Sequence, residues 1–268
     1  MYQGNYIMDS AEEILRLDMK TDLAVLEKQV GWAGLSPGMA VGDMGCGPGK
    51  TTMHLGYLTG PSGTVTGVDI APDRLAWARS HYLAPGISYV QADLRQPPDI
   101  LGPFDFIFLR FVLEFYSQDA FDMVQKLSCL LKPGGIFCIV DLDHNCLNHY
   151  GIDPRLEGAI QGVMESLGRK TGFDPRAGRK LYAHLFDLGF EDIAVKVSGH
   201  HMIYGDITDS EAFNWAKKIE AAAKHSSYAF DGFEDGFEGF KAAAASFFTD
   251  PRRFTYTPII CCKGRKPK

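Results

Sequence analysis

The chain has 268 residues, 46% hydrophobic and 22% charged, a globular composition that excludes wholesale disorder. Its net charge is −6, so contact with a phosphate backbone would need a local basic patch, and the only cluster is Lys263, Arg265, Lys266 and Lys268. No run of about 18 apolar residues occurs, which predicts no membrane span. The opening Met1-Tyr2-Gln3-Gly4-Asn5 lacks the basic and apolar regions of a secretion signal. None of the six cysteines makes a Cys-x-x-Cys pair, which reads as reduced core thiols of a cytoplasmic protein without a metal site.

In chain order, residues 9–30 read as one helix, opened by a Ser10–Glu13 capping box and carrying Ile14, Leu17, Leu23, Leu26 and Val30 at helical spacing. Met39–Met44 is a short apolar strand, followed by the glycine-rich turn Gly45–Gly49 and a helix from Thr51. Thr64–Val68 is a second strand ending at Asp69, and Pro72–Tyr82 a helix with proline in its first turn. Ile87–Gln91 and Phe104–Leu109 are strands three and four, Ser117–Leu131 a helix, and Ile136–Leu142 strand five after the turn Lys132-Pro133-Gly134-Gly135. Pro154–Gly168 and Ala177–Leu188 are helices and Ile193–Ile203 is strand six. Residues 207–249 are a helical insertion with a second capping box, Thr208 and Glu211, before the last strand, Phe254–Cys262. The alternation predicts an α/β, Rossmann-like fold: a seven-stranded, mostly parallel sheet with helices on both faces. An N-terminal helical cover (1–35) precedes a domain over 36–268, with helical insertions at about 145–175 and 207–249.

The strongest local signal is Val41-Gly42-Asp43-Met44-Gly45-Cys46-Gly47-Pro48-Gly49-Lys50-Thr51, a buried strand running through glycines straight into a helix. Such a turn lets a ligand approach the main chain, and the helix-start amides favour an anionic group. Asp69 follows at the end of strand two, where an acid can accept hydrogen bonds from both hydroxyls of a ribose. The spacing is Gly-x-Gly-x-Gly rather than Gly-x-Gly-x-x-Gly, and Asp43 would face a pyrophosphate. Both features disfavour a dinucleotide and an NAD-dependent oxidoreductase, and suit a ligand with an ammonium group.

These residues carry a resemblance. Residues 38–143 are similar to the class I S-adenosylmethionine-dependent methyltransferases: Asp43 to Gly49 resembles the first motif, Val68-Asp69 the second, Gln91-Ala92-Asp93-Leu94 the third, Phe104-Asp105-Phe106-Ile107 through Glu114 the fourth, and Leu131 to Gly135 the turn before strand five. The N-terminal residues Tyr6-Ile7, Glu12-Glu13 and Arg16-Leu17 also resemble the quinone-biosynthesis-related methyltransferases, in which this segment folds over the cofactor. The resemblance implies S-adenosylmethionine as cofactor. Gly45, Gly47 and Gly49 would wrap its methionine part, Asp43 hold its ammonium, Asp69 bind the ribose, and Ile70 pack beside the adenine. Ala92, Asp93 and Leu94 would shape the adenine pocket, and Arg110 and Phe111 line the methyl donor's face. Plainer readings stay open: Asp43 bonding the turn's own amides, Asp69 capping the next helix, Asp93 a loop acid, Arg110 paired with Glu114, Phe111 a core ring.

Methyl transfer from a sulfonium is an in-line displacement that needs alignment and exclusion of water more than a metal. A base is needed only where the nucleophile carries a proton, and His144, just beyond strand five, is the candidate. Tyr6, Glu114, Asn145 and His149 are candidate substrate contacts. His200 and His201 alternate faces on strand six, which points one of them outward. The reading is a small-molecule methyltransferase, monomer or homodimer, with no nucleic-acid partner. If the 207–249 insertion is a lid, its phenylalanines favour an apolar or aromatic acceptor; if they pack on the body of the protein they say nothing about it. The alternatives are methylation of protein or RNA, and a non-catalytic S-adenosylmethionine-binding regulator.

Overall fold

The computed structural model describes residues 14, 16–18 and 21–268, apart from the side chain of Ser210. Tyr6 and the Ser10–Glu13 pair lie outside these residues. The single helix expected over 9–30 is interrupted. Residues 16–18 are helical, Thr21 and Asp22 are not, and α1 (Leu23–Ala33) starts afresh. Asp22 is its N-cap, accepting the amides of Ala24 and Val25 at 2.9 and 3.1 Å, and Gly34 ends it in the left-handed region. The apolar spacing runs across the break and hides it.

Five parallel strands form the frame: β1 (Ala40–Met44), β2 (Thr64–Asp69), β3 (Ile87–Gln91), β4 (Phe104–Arg110) and β5 (Leu131–Leu142), in the order β3-β2-β1-β4-β5. β5 starts earlier than expected, because Leu131 already pairs with Phe104 and the Lys132–Gly135 stretch is absorbed as a register shift. β8 (Phe254–Arg265) runs antiparallel to β5, and β7 (Glu191–Tyr204) antiparallel to β8. The two-residue β6 (His149–Tyr150) also pairs with β8 and makes eight strands where seven were expected. The strand order reverses between β1 and β4, and the crevice beyond the carboxyl ends at such a point is where open α/β sheets bind ligands.

The central strands are apolar on both faces because both faces are covered. Along β4, Phe106 and Phe108 join Val41, Val65, Leu26, Val30 and Leu55 on the side of α1 and α2 (Lys50–Thr59). The alternate residues Ile107 and Leu109 join Met123, Val124 and Leu127 of α4 (Ala120–Cys129) and Leu181 and Leu185 of α6 (Leu181–Asp187) on the other. Each of these fully buried side chains contributes about 1.5–3 kcal/mol of transfer free energy. Near the sheet's β3 edge, Leu75 and Ala78 of α3 (Pro72–His81) pack with Cys46 and Tyr89.

A third core packs against the end of β7 through Ile203. It joins α5 (Pro154–Thr171) to α7 (Asp209–His225) and α8 (Phe237–Thr249), the two helices into which the 207–249 insertion resolves. Thr208 and Glu211 form the expected reciprocal capping box at the head of α7. Phe233, Phe240, Phe247 and Phe248 are buried in this core with Trp215 and Ile160. No helix among the described residues is long and apolar enough to cross a membrane. All six cysteines are free thiols, though Cys129 is exposed rather than in the core.

Candidate active site

The glycine turn begins where β1 ends. Gly45, Gly47 and Gly49 have φ of +76°, +53° and +93°, the left-handed region that side chains rarely adopt. Their surroundings differ. A Cβ on Gly45 would lie 2.4 Å from Val112 Cγ2, and one on Gly49 2.7 Å from Ala78 Cβ and 2.8 Å from Tyr89 Oη, so these two glycines are required by packing. A Cβ on Gly47 would meet nothing within 4 Å. Gly47 is the glycine that faces open space.

The turn is tied to β2. The amides of Gly45 and Cys46 both donate to the Val68 carbonyl, at 2.7 and 3.0 Å. Asp69, only 5% exposed, accepts the Gly47 amide on Oδ2 and the Ala71 amide on Oδ1, each at 2.9 Å. A carboxylate offers about four lone-pair sites, so both oxygens keep capacity for a hydroxyl. Asp43 is 3% exposed and accepts the Thr52 hydroxyl at 2.6 Å. Burial pushes its carboxyl up to about 7, against the opposing pull of the Thr52 bond and Arg110. A cation placed beside Asp43 would restore its charged form.

These groups line a cavity of about 160 Å³ with Gly45, Gly47, Asp43, Asp69, Ile70, Leu94, Arg110 and Phe111 in its wall. Gly49, Ala92 and Asp93 are not in that wall. Asp93 is engaged by Arg95 through two nitrogens at 2.7–3.1 Å, which holds its carboxyl below the usual range. Residues 16–18 reach the site. Leu17 lines the cavity, and the Asp18 carbonyl accepts Lys50 Nζ at 2.6 Å while its carboxylate accepts the Tyr82 hydroxyl.

A second cavity of about 220 Å³ adjoins the first and shares Leu17, Thr21, Arg110, Phe111 and Phe115 with it. Arg110 ends β4 and stacks its guanidinium 4.2 Å over the Phe111 ring; burial pushes it down to about 10, while Asp43 and Asp22 pull it back up. It makes no ion pair with Glu114, the plainer reading of that spacing. Phe111 has φ +58°, a strained conformation for a bulky residue, and thereby presents its ring at the junction of the two cavities.

Glu114 and Asn145 both line the second cavity. Asn145 Nδ2 donates to Glu114 Oε2 at 3.0 Å, and Lys218 Nζ of α7 donates to Asn145 Oδ1 at 3.3 Å. Glu114 is 5% exposed, and burial pushes its carboxyl up to about 7, with Asn145 and Lys218 opposing and Asp174 adding to the rise. His144 and His149 are not in this wall. The His144 ring bonds Asn148 Oδ1 at 3.1 Å, and His149 is held by Thr255 Oγ1 and the Cys146 carbonyl among Trp215, Phe247 and Phe248. Both His200 and His201 do line it, because β7 bulges there: His201 has φ +51° and three residues of β7 span two of β8. Lys218 and the histidine pair were not legible as site residues, since the first is one of several lysines on an amphipathic helix and the second depends on the bulge. Except for the exposed Phe213, the insertion's phenylalanines pack in their own core, and none lines the second cavity. Among the described residues no group of three or more His, Cys, Asp or Glu is placed to hold a metal ion.

A sheet of this order with a glycine turn, a buried acid ahead of it and a carboxylate at the end of β2 defines a nucleoside-binding α/β domain. Residues 41–135 match the family described as "Methyltransferase domain", and this region resembles the class I S-adenosylmethionine-dependent methyltransferases. It is 35% identical over 109 residues to an uncharacterized methyltransferase of Synechocystis sp. (strain ATCC 27184 / PCC 6803 / Kazusa), covering 40% of this chain and 49% of that one. It is 36% identical over 101 residues to trans-aconitate 2-methyltransferase of Escherichia coli O139:H28, covering 37% of each. The match thus spans about half the length of the first relative and little over a third of the second. The fold is similar to that of Haemonchus contortus phosphoethanolamine N-methyltransferase 2, solved with S-adenosyl-L-methionine, with a TM-score of 0.55 at 16% identity over 99% of this chain and 55% of that one.

Proposed function

We propose that the protein transfers the methyl group of S-adenosylmethionine to a small-molecule acceptor. The observation that carries this reading is the pair of adjoining cavities with Arg110 and Phe111 in their common wall. The first suits the family's cofactor. Gly47 leaves space for the methionine part, Asp43 is a buried acid for its ammonium, Asp69 retains lone pairs for the ribose, and Ile70 and Leu94 offer an apolar slot for the adenine. Bound there, the cofactor supplies an electrophilic methyl on a sulfonium. The chain's task is to orient the two reactants and exclude water, and proximity of this kind is worth several kcal/mol of barrier. Aromatic faces at the junction favour a sulfonium by roughly 0.5–2 kcal/mol, and Phe111 is placed for it.

Much of the acceptor wall is built from outside the matched family region. Asn145, His200, His201 and Lys218 all follow residue 135, so the relatives' substrates do not carry over to this chain. α7 and residues 16–17 contribute to the wall of this cavity, whose volume of about 220 Å³ suits a small acceptor better than a macromolecule. The test is to incubate the protein with methyl-labelled S-adenosylmethionine and a deproteinised, RNA-free metabolite extract. Label is expected in the small-molecule fraction; label only in added protein or RNA would overturn the reading.

A further inference from the structure

Resting on that reading, we infer that Glu114 is the proton acceptor of the reaction, and that the acceptor molecule is a neutral hydroxyl on an aromatic ring. Three features of the second cavity support this. One part of its wall is apolar and partly aromatic, with Phe111, Phe115, Phe173, Met164 and Leu167. Its buried polar end is Glu114, held by Asn145, which is in turn held by Lys218. Of the two Glu114 carboxylate oxygens only Oε2 is hydrogen-bonded among the described residues, and Glu114 is one of the residues that line the cavity. A carboxylate oxygen with no donor from the described residues keeps lone pairs for a ligand's O–H.

The backbone fixes Glu114 in place. Its amide donates to Asp141 Oδ2 at 3.2 Å, and its carbonyl accepts the Asp174 amide at 2.7 Å. The charged and titratable groups around it are Asp141 from β5, Asp174 from the segment after α5, Lys218 from α7, and Arg16, Arg110, His200 and His201 on the same cavity wall. Its carboxyl is basic for its type, since burial raises it to about 7, where a general base is most effective near neutral pH. An acceptor already ionised as a carboxylate would place a second anion beside Glu114 and need no base.

The step balances without an added reagent. The acceptor O–H bond breaks and its proton passes to Glu114 Oε1. The oxygen forms a bond to the methyl carbon as the carbon–sulfur bond breaks, and that electron pair returns to sulfur, giving a thioether and a methyl aryl ether. The proton then leaves Glu114 to solvent.

The test compares the full-length wild type with Glu114→Gln, using phenol and 4-nitrophenol as probes; 4-nitrophenol loses its proton near neutrality and so needs no base. The wild type is expected to methylate both, with the phenol rate rising with pH through one ionisation. Glu114→Gln should lose phenol methylation by roughly 10²-fold or more, lose the pH step, and keep 4-nitrophenol methylation within about tenfold. Calorimetry should show S-adenosylhomocysteine affinity within about threefold of wild type. Equal loss with both phenols, or equal retention, would overturn the role of Glu114. Methylation of neither phenol by a wild type that binds S-adenosylhomocysteine would overturn the acceptor class, whereas failure to bind S-adenosylhomocysteine would overturn the underlying reading instead.

Discussion

Asp69 and Gly47, 22 residues apart, are joined by a 2.9 Å hydrogen bond from the glycine amide to the carboxylate. The bond sets the end of β2 against the one turn glycine that faces open space, so the acid positions the loop as well as offering its remaining lone pairs to a ligand. Asp69→Ala should therefore weaken S-adenosylhomocysteine binding by about 10- to 100-fold, the equivalent of one charge-assisted hydrogen bond. Titration calorimetry measures this, with circular dichroism confirming an unchanged fold. An affinity equal to wild type would remove Asp69 from the binding site.

The turn glycines separate packing from ligand space. Gly49→Ala forces a Cβ to within 2.7 Å of Ala78 at a φ of +93° and should cost roughly 2 kcal/mol or more. That corresponds to a fall in Tm of about 4 °C or more. Gly47→Ala meets no atom within 4 Å and should cost only about 1–2 kcal/mol for its backbone, while intruding on the ligand and cutting affinity at least tenfold. Thermal melts and binding isotherms of the two variants should rank them oppositely.

Much of this half of the molecule was legible in the sequence, because each signal there is local. The glycines follow β1 directly, Asp69 ends β2, and Pro72 opens α3. The acceptor side was not legible in the same way. Glu114 meets Asn145 across 31 residues and Asn145 meets Lys218 across 73, and no spacing rule encodes either contact. The His200–His201 alternation misled because a bulge turned the second ring back toward the cavity. His144 sat at the right end of the sheet, but its positive φ of 49° accompanies a ring engaged by Asn148. Asp93 pairs with Arg95, two residues away.

The buried Asp43 carries a pH dependence of known sign. Its carboxyl titrates near 7 in the folded protein against 3.8 when solvated, so between those values the folded state holds a proton the unfolded state has lost. Its contribution to stability is therefore most favourable at low pH and falls as pH rises toward 7. Asp43→Asn keeps an acceptor for the Thr52 hydroxyl and removes the titration. Urea denaturation should show the variant gaining on wild type by more at pH 7.5 than at pH 5; a gain independent of pH would contradict the assignment.

The insertion's phenylalanines are a core rather than a lid lining. Phe240, 2% exposed among Phe230, Phe233 and Phe237, should cost about 3–5 kcal/mol when truncated to alanine. S-adenosylhomocysteine affinity should stay within about threefold at a temperature where the variant is folded. Denaturant melts and calorimetry on Phe240→Ala check both halves.

Most directly, titration of the wild-type protein with S-adenosylhomocysteine tests whether the Gly45–Gly47 turn and Asp69 form one nucleoside site. Saturable binding at a single site per chain is predicted, with protection of the Gly47 amide from hydrogen exchange. No binding at millimolar ligand, by a protein shown to be folded, would contradict the account.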